Sequence, residues 1–145
     1  MTDADPKVVK QILSELRDVS KEKRRTAVMK LGMLGGDEAV RTLMMIVTNH
    51  YEDLIVRGRA ALMLGKLGDP RAVEPLIRAL DAPGYQTPLY AAQSLGKLGD
   101  PRAIEPLLRA MESHNDKMRQ AAQEALGKLG YNQEPEPEKI GEPEA

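Results

Sequence analysis

Two histidines, His50 and His114, are the first residues to test for chemistry, and they stand 64 positions apart. A metal centre needs three or four convergent ligands. The run His50-Tyr51-Glu52-Asp53 offers a weak rim site at most, so no metal is expected. The absence of cysteine excludes thiolate catalysis and disulfides. No Ser–His–Asp arrangement is readable, so no catalytic residue and no cofactor is assigned. The glycines around Gly65-Lys66-Leu67-Gly68-Asp69-Pro70 lack phosphate-loop spacing and a preceding strand. They read as a helix end. Gly68 and Gly99 turn the chain, while Gly65 and Gly96 let two backbones approach. What remains to act is surface.

That surface is built by repetition. Leu64–Leu76 reads LGKLGDPRAVEPL, and Leu95–Leu107 reads LGKLGDPRAIEPL, 31 residues on. LGKLG returns at Leu126–Gly130, after the same interval. A unit of this length cannot hide its own apolar face and needs neighbours to do so, which is the signature of a solenoid. With no Phe and no Trp, the core must be Leu, Ala, Val, Ile and Met, a set suited to close helix pairs rather than to a sheet.

The pattern predicts eight helices in four antiparallel pairs. The first begins at Asp5-Pro6 as cap and first turn, with Val8, Val9, Ile12, Leu13 and Leu16 at helical spacing. Ser20 caps the second, which ends at Gly35-Gly36. The third covers Asp37 to Thr48, the fourth Leu54 to Leu67. Asp69-Pro70, Thr87-Pro88 and Asp100-Pro101 each read as cap then Pro, opening the fifth, sixth and seventh. Ser113–Asp116 leads into the eighth. Pro75 and Pro106 fall inside short helices, as a bend or as a first turn handing over to the main helix. From Val40 to Ala60 is two residues longer than from Val73 to Ala91, which places an insertion in the loop around Asn49–Glu52.

The net charge of -1 is uneven. From Tyr131 onward there are five Glu and one Lys, leaving 20 basic against 17 acidic groups in residues 1–130. The domain is therefore expected to span 1–130, with 131–145 a disordered Pro/Glu tail. A weakly basic body without interleaved aromatics argues against nucleic acid. No apolar run reaches a membrane span, and MTDADPKVVKQ has no signal-peptide core, so a cytoplasmic protein is expected.

LGKLGDPRAVEPL, preceded by VRGRAA, resembles the short HEAT-like repeats of the phycobilisome-lyase type over residues 21–130. The resemblance implies a right-handed α-α superhelix, a HEAT-like or armadillo-type solenoid. In it the helices around 21–34, 54–67, 87–98 and 116–129 line the concave face. It also implies an Asp and an Arg that help join neighbouring units, here Asp69 and Asp100 with Arg57 and Arg119. Pro88 replaces that Arg in the third unit, and Gly36 replaces the Asp in the first. The wider group includes bilin-attaching lyase subunits, scaffolds and adaptors. It also includes an iron hydroxylase with His–Glu pairs, which this chain lacks.

On that geometry the concave face presents Met29, Leu62 and Tyr90 among Arg59, Lys66, Gln93 and Lys97. An aromatic with apolar neighbours and a cationic rim suits a protein hot spot. The expected role is a non-enzymatic adaptor binding another protein, as a helix or extended segment, or a second copy of itself. The alternatives are a bilin-lyase-like or tetrapyrrole-handling accessory, and a structural subunit or assembly factor of a larger complex. A second candidate surface is the basic cluster Lys21, Lys23, Arg24, Arg25 and Lys30, which could meet acidic protein, the chain's own tail, or phosphate.

Overall fold

The computed structural model describes residues 5–131. The acidic tail expected beyond Tyr131 lies outside them. Among the described residues there is no strand, and eight α-helices follow one another. They are α1 (Pro6–Glu15), α2 (Lys21–Leu34), α3 (Asp37–Val47), α4 (Leu54–Leu67), α5 (Val73–Ala79), α6 (Gln86–Leu98), α7 (Ile104–Ala110) and α8 (Asp116–Lys128). No helix among them is long and apolar enough to cross a membrane.

Local chemistry sets most boundaries. Asp5, Ser20, Asp53 and Asn115 each accept a hydrogen bond from a backbone N–H of the helix they precede. Gly68 and Gly99 end α4 and α6 in the left-handed region, at φ 71°. Asp69 and Asp100 cap short 3-10 turns, Pro70–Ala72 and Pro101–Ala103, that run directly into α5 and α7. Pro75 and Pro106 thus sit third in their helices, where a missing N–H breaks no ladder bond. Of the two readings of these prolines, the first-turn handover is the one realised.

Two expectations change. Thr87 does not cap α6, which starts one residue earlier, after Tyr85. Its fully buried hydroxyl donates instead to the Leu54 carbonyl of α4 at 3.3 Å. A capping oxygen would have to face its own free N–H groups, and here the neighbouring unit claims it. The two extra residues of the second unit do not lengthen its loop. Residues 48–53 match 80–85 in number, and the surplus extends the end of α3 and the start of α4.

Each odd-numbered helix packs on the even-numbered helix that follows it. The even-numbered helices pack closely one on the next, while the odd-numbered ones touch their own row only lightly. A two-layer stack curves toward its tighter layer, so α2, α4, α6 and α8 form the inner, concave surface. Ala27, Ala60, Ala91 and Ala122 repeat at one register position, and Leu31, Leu64, Leu95 and Leu126 at another. All eight are fully buried. Each such Leu contributes roughly 1.5–3 kcal/mol by leaving water.

The tight row depends on glycines. A Cβ on Gly32 would lie 2.3 Å from Met63, one on Gly65 2.2 Å from Ser94, and one on Gly96 2.9 Å from the Ala125 Cα. Met63, Ser94 and Ala125 occupy the same place, two residues before the next unit's glycine. Ser94 also donates its buried hydroxyl to the Ala61 carbonyl at 2.6 Å, tying α6 to α4. Gly127 is the register mate in α8, and no described residue lies within 4 Å of its missing Cβ.

This periodicity yields an internal control. Gly65→Ala should lower stability by about 1–3 kcal/mol, because Ser94 and its backbone must shift. Gly127→Ala meets no neighbour and should gain up to about 1 kcal/mol from helix propensity. Chemical denaturation of the two single variants measures both; equal effects would remove the socket account.

Candidate functional site

Three register positions of the even-numbered helices face the inside of the stack. The first holds Thr26, Arg59 and Tyr90, with Ala121 buried at its end. The second holds Met29, Leu62, Gln93 and Glu124. The third holds Met33, Lys66, Lys97 and Lys128. All seven residues read as the binding surface therefore lie on one face of α2, α4 and α6. Met29, Leu62 and Tyr90 are partly buried and pack against the core, so they form the floor. Arg59 and Gln93 are partly buried beside them, and Lys66 and Lys97 are exposed. The Tyr90 ring lies over α4 beside Gly58, where an added Cβ would make ordinary contact with Tyr90 Cδ2 at 3.4 Å.

Lys128 completes the row of Lys66 and Lys97, although it was not among the seven. The third copy of Leu-Gly-Lys is the signal that marks it. Arg59, Lys66, Lys97 and Lys128 make no ion pair among the described residues. One carboxylate, Glu124, stands on the same face, one turn before Lys128, and it accepts from Gln120 Nε2 at 3.2 Å.

The basic cluster is different. Arg24 pairs with Glu52 at 3.1 Å, Arg25 with Asp53 at 2.8 Å, Lys30 with Glu15 at 3.3 Å and Lys23 with Asp18 at 3.7 Å. Lys21 makes no such pair. The cluster is largely neutralised by carboxylates, two of them from the next unit, and Arg24 and Arg25 clamp the α3–α4 loop to α2. Asp53 accepts two hydrogen bonds from Arg25 and one from the Val56 N–H. The Arg25 guanidinium, more than any other group, holds its carboxyl at a pKa of about 2.

The Asp and Arg positions divide their work in a way the resemblance does not imply. Arg57 is 2% exposed and donates Nε and Nη2 to the Val47 carbonyl at 3.2 Å, within its own unit. Burial draws its pKa down, and its Nη1 has no partner. Arg119 likewise donates to the Ser113 carbonyl, at 2.7 Å, and Arg24 to those of Asp18 and Val19. These guanidiniums hold the turn between the two helices of a pair, because carbonyls freed at a helix end need donors. Besides the Arg24 and Arg25 pairs, links between units come from Arg71 and Arg102. Asp69 and Asp100 grip them, and they reach Asp37 at 2.7 Å and Glu74 at 3.3 Å in the preceding unit.

His50 and His114 lie on separate exposed turns. Among the described residues no group of three or more His, Asp or Glu is placed to hold a metal. The main apolar hollow, about 550 Å³, is not on the floor but at the open end of the stack. Val8, Ile12, Met33 and Leu34 line it, with Lys7 and Lys30 at its edge. Met33 belongs both to this hollow and to the lysine register, so the two surfaces are continuous.

The family profile for HEAT repeats matches residues 9–87 and 83–138. Among solved structures, the chain is similar to the complex of CpcE and CpcF of phycocyanin lyase from Nostoc sp. PCC7120. The match has 26% identity and a TM-score of 0.74, covering 90% of this chain and 55% of that one. It is similar to human deoxyhypusine hydroxylase at 23% identity and TM-score 0.73, covering 89% of this chain and 46% of that one. An engineered protein matches at 18% identity and TM-score 0.62, covering 84% and 62%. The chain thus spans only part of each of these structures. A search of curated proteins finds no match.

The Arg25–Asp53 clamp has a testable pH signature. Asp53 has a folded pKa below its unfolded value, so its stabilisation is present above about pH 4 and is lost as pH falls toward 2. Asp53→Asn, which keeps a capping oxygen, should cost about 1–2 kcal/mol at pH 7. Denaturation midpoints taken from pH 7 down to 2 should show the gap between variant and parent closing below pH 4.

Proposed function

Since the chain belongs to the HEAT repeats family, we propose that it is a protein-interaction module of the adaptor or scaffold kind, holding a partner segment on the inner face of α2, α4 and α6. The observation that carries this is the floor itself. Tyr90, Leu62 and Met29 are partly open apolar groups on successive helices, flanked by cations that make no ion pair among the described residues. Such anchors rimmed by polar groups are where binding energy concentrates. A helical pair row also spreads contacts over several units, which suits an elongated partner.

A tetrapyrrole-handling role has two supports, the 26% identical lyase complex and the apolar hollow beside α1 and α2. Incubation with free bilin tests it: a shift in visible absorbance, lost in Met33→Asp, would favour that role over the adaptor reading.

For the adaptor reading, the Tyr90→Ala/Leu62→Ala double variant should stay folded and lose at least 10-fold in affinity for captured partners. Arg78→Ala, on the exposed side of α5, should retain them. Affinity capture from host extract with quantitative mass spectrometry, beside circular dichroism of each variant, checks this. Equal capture by folded parent and double variant would remove the site.

A further inference from the structure

Resting on the reading of the inner face as a docking surface, we infer the chemistry of its partner: an extended acidic protein segment with a bulky apolar residue at one end. Lys66, Lys97 and Lys128 recur at one register position of successive stacked helices. Neighbouring axes in such packing lie roughly 8–10 Å apart. A segment in the extended polyproline II conformation rises about 3.1 Å per residue and turns once every three, so carboxylates three residues apart share one face and match the lysines in step. The charge balance supports the same sign of ligand. Arg24, Arg25, Arg41, Arg71, Arg102 and Arg119 are each paired with a carboxylate; among the described residues Arg59 and the three lysines have no such pair, and neither do Arg17, Arg57, Arg78 and Arg109, but the four inner-face cations share one surface with a single carboxylate, Glu124.

The row is graded along the stack. At the register of the lysines, α2 carries Met33, which is 73% exposed and borders the apolar hollow of about 550 Å³ beside Val8 and Ile12. A segment lying along the row therefore meets an apolar end near α2 and cations at α4, α6 and α8. Lysines in a last helical turn also complement the helix dipole. That effect does not account for the row, because α2 ends equally well with Met33 in the same place.

The test is fluorescence anisotropy with a labelled synthetic peptide bearing a Leu pair at one end and Glu at every third position. The proteins are the full chain and a chain ending at Tyr131, which lacks the chain's own five tail glutamates. Binding to either, weakening steeply with salt, is expected. Lys66→Glu/Lys97→Glu should weaken it at least 10-fold while the protein stays folded by circular dichroism. Arg78→Glu should leave it unchanged. Replacing the peptide's Glu by Gln should abolish binding, and replacing the Leu pair by Ser should cost several-fold. Binding to the truncated chain alone would support the inference, with the tail as competitor. Failure of the peptide with both proteins would overturn it, as would equal or tighter binding of a single-stranded DNA of similar length. If that happens while partner capture still depends on Tyr90 and Leu62, the docking surface stands and only its acidic partner falls.

Discussion

The stack exists because α4 can come very close to α2 and to α6. Glycine at one position in each inner helix removes the side chain that would hold the neighbour off. The space is filled by Met63, Ser94 or Ala125 from the next unit. Close approach on the inner row, with looser contact on the outer row, makes the curvature. The curvature brings Met29, Leu62, Tyr90 and the lysines onto one surface. Buried hydroxyls add direction to this contact: Thr87 donates to the carbonyl of Leu54 at the start of α4, and Ser94 to that of Ala61 at its middle. An apolar interface alone would permit sliding, and an unmet hydroxyl in that place would be costly.

Much of this was legible because the period is local. The 31-residue recurrence, the Asp-Pro starts and the glycine stops depend on neighbouring residues, and the helix order follows from them. Which helices line the concave face was implied by the family resemblance; given those helices, 3.6-residue geometry turns spacing into sidedness along each one. What escaped the sequence was partnership. Glu52 and Asp53 lie 28 residues from Arg24 and Arg25, and only stacking shows that these charges cancel. Thr87 looks like a cap by position, and becomes a bridge because the adjacent unit offers a carbonyl. Arg57 looked like a tie between units, yet the carbonyl freed at the end of α3 is nearer and receives it.

Paired and unpaired charge separate the two candidate surfaces more sharply than charge density does. The cluster at the start of α2 is dense in cations but spends them on its own fold. The inner row is sparse, and it keeps its cations facing outward. Sparse unpaired cations on an apolar floor favour selectivity for a ligand of matching spacing over general attraction to any polyanion.

Gly127 repeats the glycine site of Gly32, Gly65 and Gly96, and no described residue fills it. The helices α4, α6 and α8 each bring both halves of the joint: a glycine, and two positions before it the side chain that enters the glycine site of the preceding unit. A further unit carrying the same pair would dock on Gly127 and lengthen the inner face by one helix.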